Sequence, residues 1–251
     1  MQYPQVVLVT GASSAIGMAI ANKFASNSST IVYATSRRRP TDLSNLVTWF
    51  GGDIVTESEK IVSTVVDAQK LRHEVNQANA AGSRSNNIHL LVNAAGVGSN
   101  KLLVRSSAGD IGDALKTNVE GSLLMTKAAL MQGGMIKARS GSVLFLGSVV
   151  GHHGNVGQVA YAASKAALVG ASLSMVKEYG RYGVRFNVLS PGLVEGPGMG
   201  STLSQANRQV WVERCALQRL ATVEDVAQAC VALASCSFLN GQVIELDGGR
   251  M

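Results

Sequence analysis

The sequence predicts an α/β fold in which helices cover both faces of a doubly wound, seven-stranded parallel sheet. Short apolar runs alternate along the chain with longer stretches of helical pattern, which is the order expected of strand–helix–strand units. The first run, Val6–Thr10, is a continuous apolar segment, and such segments are typical of strands buried on both faces. With 251 residues, 46% of them hydrophobic, the chain is long enough to bury one large core. We therefore predict a single domain over residues 1–251.

The strand pattern occurs seven times, and helical stretches or polar loops separate the runs. The predicted strands are Val6–Thr10, Thr30–Ser36, Leu46–Phe50, Ile88–Asn93, Gly141–Gly147, Val184–Leu189 and Val243–Leu246. The predicted helices run from the turn after the first strand to about Ser26, over Ser58–Asn79, from about Asp110 to Lys137, from Tyr161 to about Tyr179, and onward from Thr222.

Composition limits the classes of function. No apolar run approaches the ~18 residues that a membrane span requires, so we expect a soluble protein without a membrane span. The three cysteines and four histidines lack metal-ligand spacing, which argues against a disulfide framework and against a metal site and indicates a reducing compartment. The net charge of +6 favours acidic partners. Like charges form no long block and aromatic residues are few, so nucleic acid ranks below a phosphorylated cofactor or an acidic protein.

A turn of small residues links the first strand to the first helix. The segment Thr10-Gly-Ala-Ser-Ser-Ala-Ile-Gly17 places backbone amides at a helix N-terminus, where the helix dipole favours an anion such as a pyrophosphate. This pattern predicts a dinucleotide site. The alternative is that the small residues only pack a tight strand-to-helix connection.

The end of the second strand indicates which dinucleotide is bound. In a dinucleotide fold an acidic residue here holds the ribose 2′-hydroxyl, whereas an arginine accommodates a 2′-phosphate. The strand ends in Ser36-Arg37-Arg38-Arg39 without an acid, so we predict NADPH, with Arg37 as the main contact and Ser36 as its hydrogen-bonding companion. The alternative is a solvated, cationic turn before Pro40.

The segment from Ser148 to Lys165 carries the predicted chemistry. Tyr161 and Lys165 are four residues apart, so on one helix their side chains share a face. A nearby ammonium favours the phenolate and would make the tyrosine a better proton donor at neutral pH. Ser148 stands at the end of the fifth strand, and ligands of open α/β sheets collect at the carboxyl ends of strands. A solvated helix face can produce the same spacing by chance.

The motifs occur together in one order: the glycine turn, Asn93-Ala-Ala-Gly96, Asn118, Ser148, Tyr161-x-x-x-Lys165, Pro191-Gly192 and Asp247-Gly-Gly249. This set resembles the short-chain dehydrogenase/reductase family over nearly the whole chain, with Ala15 in place of the middle glycine of the turn. The resemblance implies a Rossmann-type, NADP-binding reductase domain that catalyses reversible hydride transfer. In it Ser148 and Tyr161 bind the carbonyl oxygen and Tyr161 donates the proton. Lys165 lowers the tyrosine pKa and binds the nicotinamide ribose. Asn118 kinks its helix and holds a water that links Lys165 to solvent.

The resemblance also implies the remaining cofactor contacts and a lid. Asp53 matches the position that contacts the adenine amine, Val194 the position whose backbone contacts the carboxamide, and Asn93 a residue that steadies the sheet. The full expected cofactor set is Gly11, Ser13, Ser14, Ile16, Ser36, Arg37, Asp53, Asn93, Ala94, Gly96, Tyr161, Lys165, Pro191, Gly192 and Val194. A flexible substrate lid is expected at about 193–214.

The substrate is the least determined feature. Several segments look similar to the branch that contains 3-oxoacyl-[acyl-carrier-protein] reductases, which implies a role in fatty acid biosynthesis and an acidic acyl carrier protein as partner. Arg139 and Arg181 match that branch's carrier-contacting cations, and Arg105 is a further candidate at the entrance; each is otherwise an ordinary solvated cation. The branch implies a homotetramer, in the mitochondrial matrix if the source is eukaryotic and otherwise in the cytoplasm. A carbonyl, quinone or hydroxysteroid oxidoreductase and a non-catalytic NADP-binding subunit remain alternatives.

Overall fold

The computed structural model describes residues 5–77, 87–196 and 205–250. Seven parallel strands form one sheet in the order β3-β2-β1-β4-β5-β6-β7. The strands are β1 Val6–Thr10, β2 Ile31–Ser36, β3 Val47–Gly51, β4 Leu90–Asn93, β5 Gly141–Leu146, β6 Val184–Pro191 and β7 Val243–Leu246. The predicted fold class is confirmed, and each strand lies within one or two residues of its predicted bounds.

Helices lie on both faces of the sheet. They are α1 Ala15–Ala25, α2 Ser58–Gln77, α3 Ala108–Leu115, α4 Ser122–Met131, α5 Met135–Ala138, α6 Val150–His153, α7 Val159–Tyr179, α8 Gln205–Glu213 and α9 Val223–Ser235, with a π-helical segment at Lys116–Gly121 and short 3₁₀ turns at Leu103–Arg105 and Gly180–Tyr182. The last residues of the predicted second helix lie outside the described residues.

Alternation along β1 divides the core into two layers. Val7 and Val9 pack with the buried side chains of α1 and α9 on one face of the sheet, while Val6 and Leu8 pack with those of α2, α4 and α7 on the other. Burying an aliphatic side chain such as Leu8 stabilises the fold by about 1.5–3 kcal/mol. Continuous apolar strands are therefore required, because both faces of the sheet are covered.

The helical region predicted from about Asp110 to Lys137 is divided into three helices, and the first interruption contains Asn118, where the resemblance implies a kink. A capping box of Ser107 and Asp110 begins α3, and the π-helical segment then interrupts the helix before α4. The helix ends at Met131, and Gly134, with φ 77°, turns the chain into the short α5. Glycine readily adopts a positive φ, which is costly for other residues, so Gly134 determines where the chain turns between α4 and α5.

The order of the strands creates the crevice for a ligand. β1 pairs with β2 on one side and with β4 on the other, so the chain leaves the centre of the sheet in opposite directions from this point. The chain after β1 enters α1 on one face of the sheet, and the chain after β4 leads to α4 on the other face. In open α/β sheets, ligands bind in such a crevice.

One helix among the described residues, Val159–Tyr182, is long and apolar enough to cross a membrane by length and composition. It contains α7, which contacts β6, α3 and α6 and buries Tyr161, Lys165 and Leu168. Core helices of soluble proteins pass the same test, so this finding is weak evidence for a membrane span.

Candidate active site

The candidate site is a cleft at the carboxyl ends of β1, β4, β5 and β6. Its volume is about 280 Å³, and it is lined by Ser14, Ile16, Ala94, Gly96, Ser148, Tyr161, Lys165, Pro191, Gly192 and Val194, among others. A smaller groove of about 110 Å³ shares Ser14, Ala94 and Gly96 with the cleft and extends to the end of β2. Together they form one continuous depression across the carboxyl edge of the sheet.

Ser148 and Tyr161 form a hydrogen-bonded pair in this cleft. Ser148 follows β5, and its Oγ accepts a hydrogen bond from the Val150 amide at 3.2 Å. Tyr161 lies in the first turn of α7, and each of the two residues is 8% exposed. A carbonyl oxygen placed in the cleft could therefore accept hydrogen bonds from both hydroxyl groups.

Lys165 lies one turn beyond Tyr161 and is 6% exposed. Its Nζ is 5.7 Å from the centre of the tyrosine ring and donates to the Leu146 carbonyl at 2.6 Å. An ammonium has three N–H donors, and this carbonyl is its one acceptor within the described part of the chain. The remaining donors are available to a ligand that carries hydroxyl groups, such as a ribose.

Burial controls the pKa of both groups. Burial raises the pKa of Tyr161 to about 12, against a smaller lowering by the hydrogen bond with Ser148. Burial also lowers the pKa of Lys165 to about 8. Desolvation of the phenolate therefore determines the direction of the tyrosine pKa, and the expected lowering by Lys165 stays a prediction. The phenol keeps its proton, as a proton donor must.

Asn118 is fully buried in the π-helical segment, and its amide is committed to other parts of the protein. Its Oδ1 accepts from the Val97 amide at 2.7 Å, while its Nδ2 donates to the Val97 carbonyl at 2.8 Å and to Ser164 Oγ at 2.9 Å. Ser164 in turn donates to the Tyr161 carbonyl at 2.7 Å. Asn118 thus connects the loop after β4 to α7 without a direct hydrogen bond to Lys165.

The turn after β1 has the geometry of an anion site. Ser14 caps α1: its Oγ accepts from the Gly17 amide at 3.0 Å and donates to the Gly11 carbonyl at 2.9 Å. A Cβ added at Gly11 would lie 2.5 Å from the backbone of Ala95, and φ there is 71°. Only glycine fits this turn. Ser13 and Ser14 line the groove and Ala15 and Ile16 line the cleft, at a helix N-terminus that favours an anion.

The groove ends beside β2, where Ser36, Arg37 and Asp53 lie together. Arg37 is exposed, and one oxygen of Asp53 accepts from the Val55 amide at 2.9 Å. Ser36 is 5% exposed, and its Oγ donates to the Arg38 carbonyl at 2.6 Å. The prediction of Ser36 as a hydrogen-bonding companion in phosphate binding is therefore not supported, because its hydroxyl proton is already used within the turn.

The family profile for short chain dehydrogenases matches residues 5–208. The chain belongs to this family. The 3-oxoacyl-[acyl-carrier-protein] reductase FabG of Thermotoga maritima is 34% identical over 247 residues, which cover 98% of this chain and 97% of that reductase. The 3-oxoacyl-[acyl-carrier-protein] reductase FabG of Aquifex aeolicus is 35% identical over 250 residues, which cover 98% of this chain and 96% of that reductase. Carbonyl reductase family member 4 of Xenopus laevis is 38% identical over 163 residues, which cover 65% of this chain and 66% of that protein.

These similarities confirm the predicted family and the prediction of an enzyme of the oxidoreductase class. Family membership implies a nicotinamide cofactor. Among the described residues, no cluster of three or more His, Cys, Asp and Glu side chains could hold a metal ion.

Apart from Asn93, the predicted cofactor residues of this short-chain dehydrogenase line the same depression. Pro191 is the last residue of β6, Gly192 and Val194 lie just beyond it, and the Gly192 amide donates to the Leu246 carbonyl at 2.9 Å. A Cβ at Gly96 would lie 3.2 Å from Asn118 Oδ1 and 3.4 Å from Lys165 Nζ. A larger residue at 96 would therefore push into the space beside the ammonium group.

Thr10, at the carboxyl end of β1, has a structural role that was not predicted from the sequence. Thr10 is fully buried, and its Oγ1 accepts from the amides of Ala94 and Ala95 at 3.1 Å each. It thereby holds the loop after β4 against β1. Asn93 is buried too, and its Nδ2 donates to Thr126 Oγ1 at 3.1 Å, in keeping with the structural role expected of it. A threonine at the carboxyl end of the central strand is the signal that could have identified Thr10.

The three candidate entrance arginines are on different edges of the sheet. Arg105 is exposed and follows the loop in which the Lys101 amide donates to the Gly157 carbonyl at 2.8 Å, close to the start of α7. Arg139 precedes β5 and Arg181 precedes β6, so both lie at the amino edge, opposite Ser148. Within a single chain, only Arg105 of the three is on the side of the candidate active site.

The predicted lid at 193–214 is only partly described. Val194 forms a bridge with Ala221, and Glu195, which lines the cleft, pairs with Arg208 of α8. Residues 197–204 lie outside the described residues. The described part of this segment places α8 beside the cleft. That the segment moves as a lid stays a prediction.

Proposed function

We propose that this short-chain dehydrogenase reduces a 3-oxoacyl thioester, carried on an acyl carrier protein, to the 3-hydroxyacyl thioester at the expense of NADPH, in fatty acid biosynthesis. The observation that carries the proposal is the buried Ser148–Tyr161 pair with Lys165 beside it, in a chain whose near full-length relatives bear the name 3-oxoacyl-[acyl-carrier-protein] reductase. The intact pair argues against a non-catalytic subunit.

The depression at the carboxyl edge fits a dinucleotide. The capped N-terminus of α1 and the bare Gly11 suit a pyrophosphate, and the free donors of Lys165 suit a ribose. At the other end, Arg37 would hold the 2′-phosphate and Asp53 the adenine. When bound, NADPH would supply the hydride for the carbonyl carbon.

The protein's own part in the reaction is to bind the carbonyl oxygen and to supply the proton. Ser148 and Tyr161 donate hydrogen bonds to that oxygen, and these bonds strengthen as negative charge develops on it. Tyr161 then transfers its phenolic proton to the oxygen as a general acid. The ammonium of Lys165, one helical turn away, favours the phenolate that results and binds the ribose hydroxyls, and Asn118 keeps the adjacent backbone in place.

A substrate panel tests the proposed substrate class. Purified protein is assayed for NADPH oxidation with an acetoacetyl thioester, a quinone and a hydroxysteroid ketone under identical conditions. We expect the highest kcat/KM with the thioester. Negligible thioester turnover beside rapid quinone turnover would contradict the proposal and favour the carbonyl-reductase alternative, which the similarity to carbonyl reductase family member 4 supports.

The choice of NADPH over NADH has its own test. Arg37→Ala removes the cation nearest the groove, so we expect KM for NADPH to rise about tenfold while KM for NADH changes little, since charge-assisted hydrogen bonds to phosphate contribute about 1.5–3 kcal/mol. Arg39→Ala is the matched control in the same turn, two residues further from β2. Steady-state kinetics with both cofactors give the result, and an equal change with both would mean that Arg37 does not contact the 2′-phosphate.

A homotetramer and a carrier protein complete the proposal. The outer surface of α7 is apolar and exposed at Val159 and Leu173, which suits a contact between subunits. Arg139 and Arg181 pack on Tyr182 at 5.7 and 5.0 Å, and both are exposed. They would reach an acidic carrier at the entrance if a neighbouring subunit brings its amino edge there. The proposed location is the mitochondrial matrix in a eukaryote and the cytoplasm otherwise.

A further inference from the structure

A chain of two hydrogen bonds connects Trp49 on β3 to the turn after β2. The indole Nε1–H donates to Ser36 Oγ at 3.1 Å, and the same oxygen donates its proton to the Arg38 carbonyl at 2.6 Å. Arg37 stands between the two residues that this chain joins. The backbone on each side of Arg37 is therefore held in place from β3. The residues of β3 themselves do not line the groove.

The position of the indole is permitted by a glycine. Trp49 shares a face of β3 with Gly51, and a Cβ added at Gly51 would lie 3.2 Å from the indole Cη2. The indole thus extends along the strand towards the carboxyl edge and reaches Ser36, which pairs with Gly51 in the sheet. Val47, on the same face, packs in the layer of α1, so the indole is on the side of the sheet where α1 begins.

The far side of the same loop is also anchored. Asn22 of α1 donates from Nδ2 to the Asp42 carbonyl at 3.2 Å and accepts at Oδ1 from the Ser44 amide at 2.9 Å. The turn Ser36–Arg39 is thus held by Trp49 at its beginning, and α1 holds the chain beyond its end. A side chain with the flexibility of arginine gains binding energy when its backbone is already in place, because less conformational entropy is lost on binding.

We propose that Trp49 is a positioning residue for recognition of the cofactor's 2′-phosphate, acting through Ser36 on Arg37. The inference rests on the proposed NADPH dependence and deepens it. Arg37 contacts the phosphate, and Trp49 fixes the turn that presents it. Ser36, whose proton is used within the turn, serves the same positioning role and makes no contact of its own with the phosphate.

The test is nucleotide binding by the whole protein, without a carbonyl substrate. Adenosine 2′,5′-bisphosphate and adenosine 5′-monophosphate are titrated calorimetrically into wild type, Trp49→Phe and Ser36→Ala. Phenylalanine keeps an aromatic ring at 49 and removes the N–H donor. We expect each variant to bind the bisphosphate about three- to tenfold more weakly, the effect of one hydrogen bond, with binding of the monophosphate unchanged. The double variant should resemble each single one, because both act through the same chain of bonds.

Thr48→Val is the matched control, since Thr48 is exposed on the same strand and points to the opposite face. If Trp49→Phe and Ser36→Ala bind the bisphosphate as wild type does, the inference is overturned while the NADPH assignment stands. Equal weakening of both nucleotides also overturns it, because that result indicates a general structural role. If wild type itself binds the two nucleotides equally, the NADPH assignment fails and the inference fails with it.

Discussion

Tyr161→Phe is expected to lower kcat/KM for carbonyl reduction by about 10²–10⁴-fold, the usual contribution of a general acid. The phenylalanine ring fills the same buried site, so the loss comes from the hydroxyl that donates the proton. Burial raises the pKa of Tyr161 to about 12, so the buried phenol is uncharged. Its replacement by phenylalanine changes no charge, and the fold should keep its stability. Steady-state kinetics and thermal unfolding measure the two effects separately.

Tyr179→Phe is the control for this variant. Tyr179 lies at the far end of the same helix, where its ring packs 6.1 Å from that of Phe186. Its loss of a hydroxyl should leave kcat/KM within about twofold of wild type, as is usual for a substitution away from the reacting groups. A Tyr161→Phe enzyme with turnover as high as that of the control would contradict the assignment of the proton donor.

Lys165→Met is expected to abolish most activity and yet to stabilise the protein at neutral pH. The ammonium is buried, and burial lowers its pKa from 10.5 to about 8, which corresponds to a cost of about 3 kcal/mol when the group is charged. Methionine fills similar space without charge. Part of the gain is offset, because the Leu146 carbonyl loses its donor, so we expect a net gain of about 1–2 kcal/mol in the free energy of unfolding.

The pH dependence of this gain follows from the same pKa values. Below about 8 the lysine is protonated in the folded and the unfolded chain, and the folded state bears the full cost of the buried charge. Between about 8 and 10.5 the unfolded chain binds more protons, so the stability of wild type rises with pH and the advantage of methionine shrinks. Denaturant unfolding of both proteins at several pH values measures this difference in the free energy of unfolding. A Lys165→Met protein less stable than wild type at neutral pH would be the opposite result.

The sheet could be predicted from the sequence because its strands are short runs rich in apolar and β-branched residues, too short for core helices and separated by helical stretches or polar loops. The resemblance implies the position of the interruption in the third helix, a kink at Asn118. Its π-helical form could not be predicted, since that form depends on how Asn118 contacts Val97 and Ser164, which are distant in the sequence. The start of α3 has a sequence signal, because Ser107 and Asp110 have the spacing of a capping box.

The site was predicted where chemistry depends on residue type and order, as for Ser148, Tyr161 and Lys165. It was not predicted where the structure redirects a side chain. Ser36 stands at the expected position, but its hydroxyl turns to the Arg38 carbonyl, and only the pairing of β2 with β3 brings Trp49 to it. The same limit applies to the tyrosine pKa, because the extent of burial follows from packing that spacing along a helix does not contain.

Transfer of a labelled hydride tests the central claim most directly. Wild type and Tyr161→Phe are incubated with an acetoacetyl thioester and NADPH that carries deuterium at the transferable position, and the product is analysed by mass spectrometry. We expect wild type to form the 3-hydroxyacyl thioester with one deuterium at the carbinol carbon, and Tyr161→Phe to form it at most about a hundredth as fast. Consumption of NADPH by wild type without a labelled 3-hydroxy product would contradict the proposed reaction.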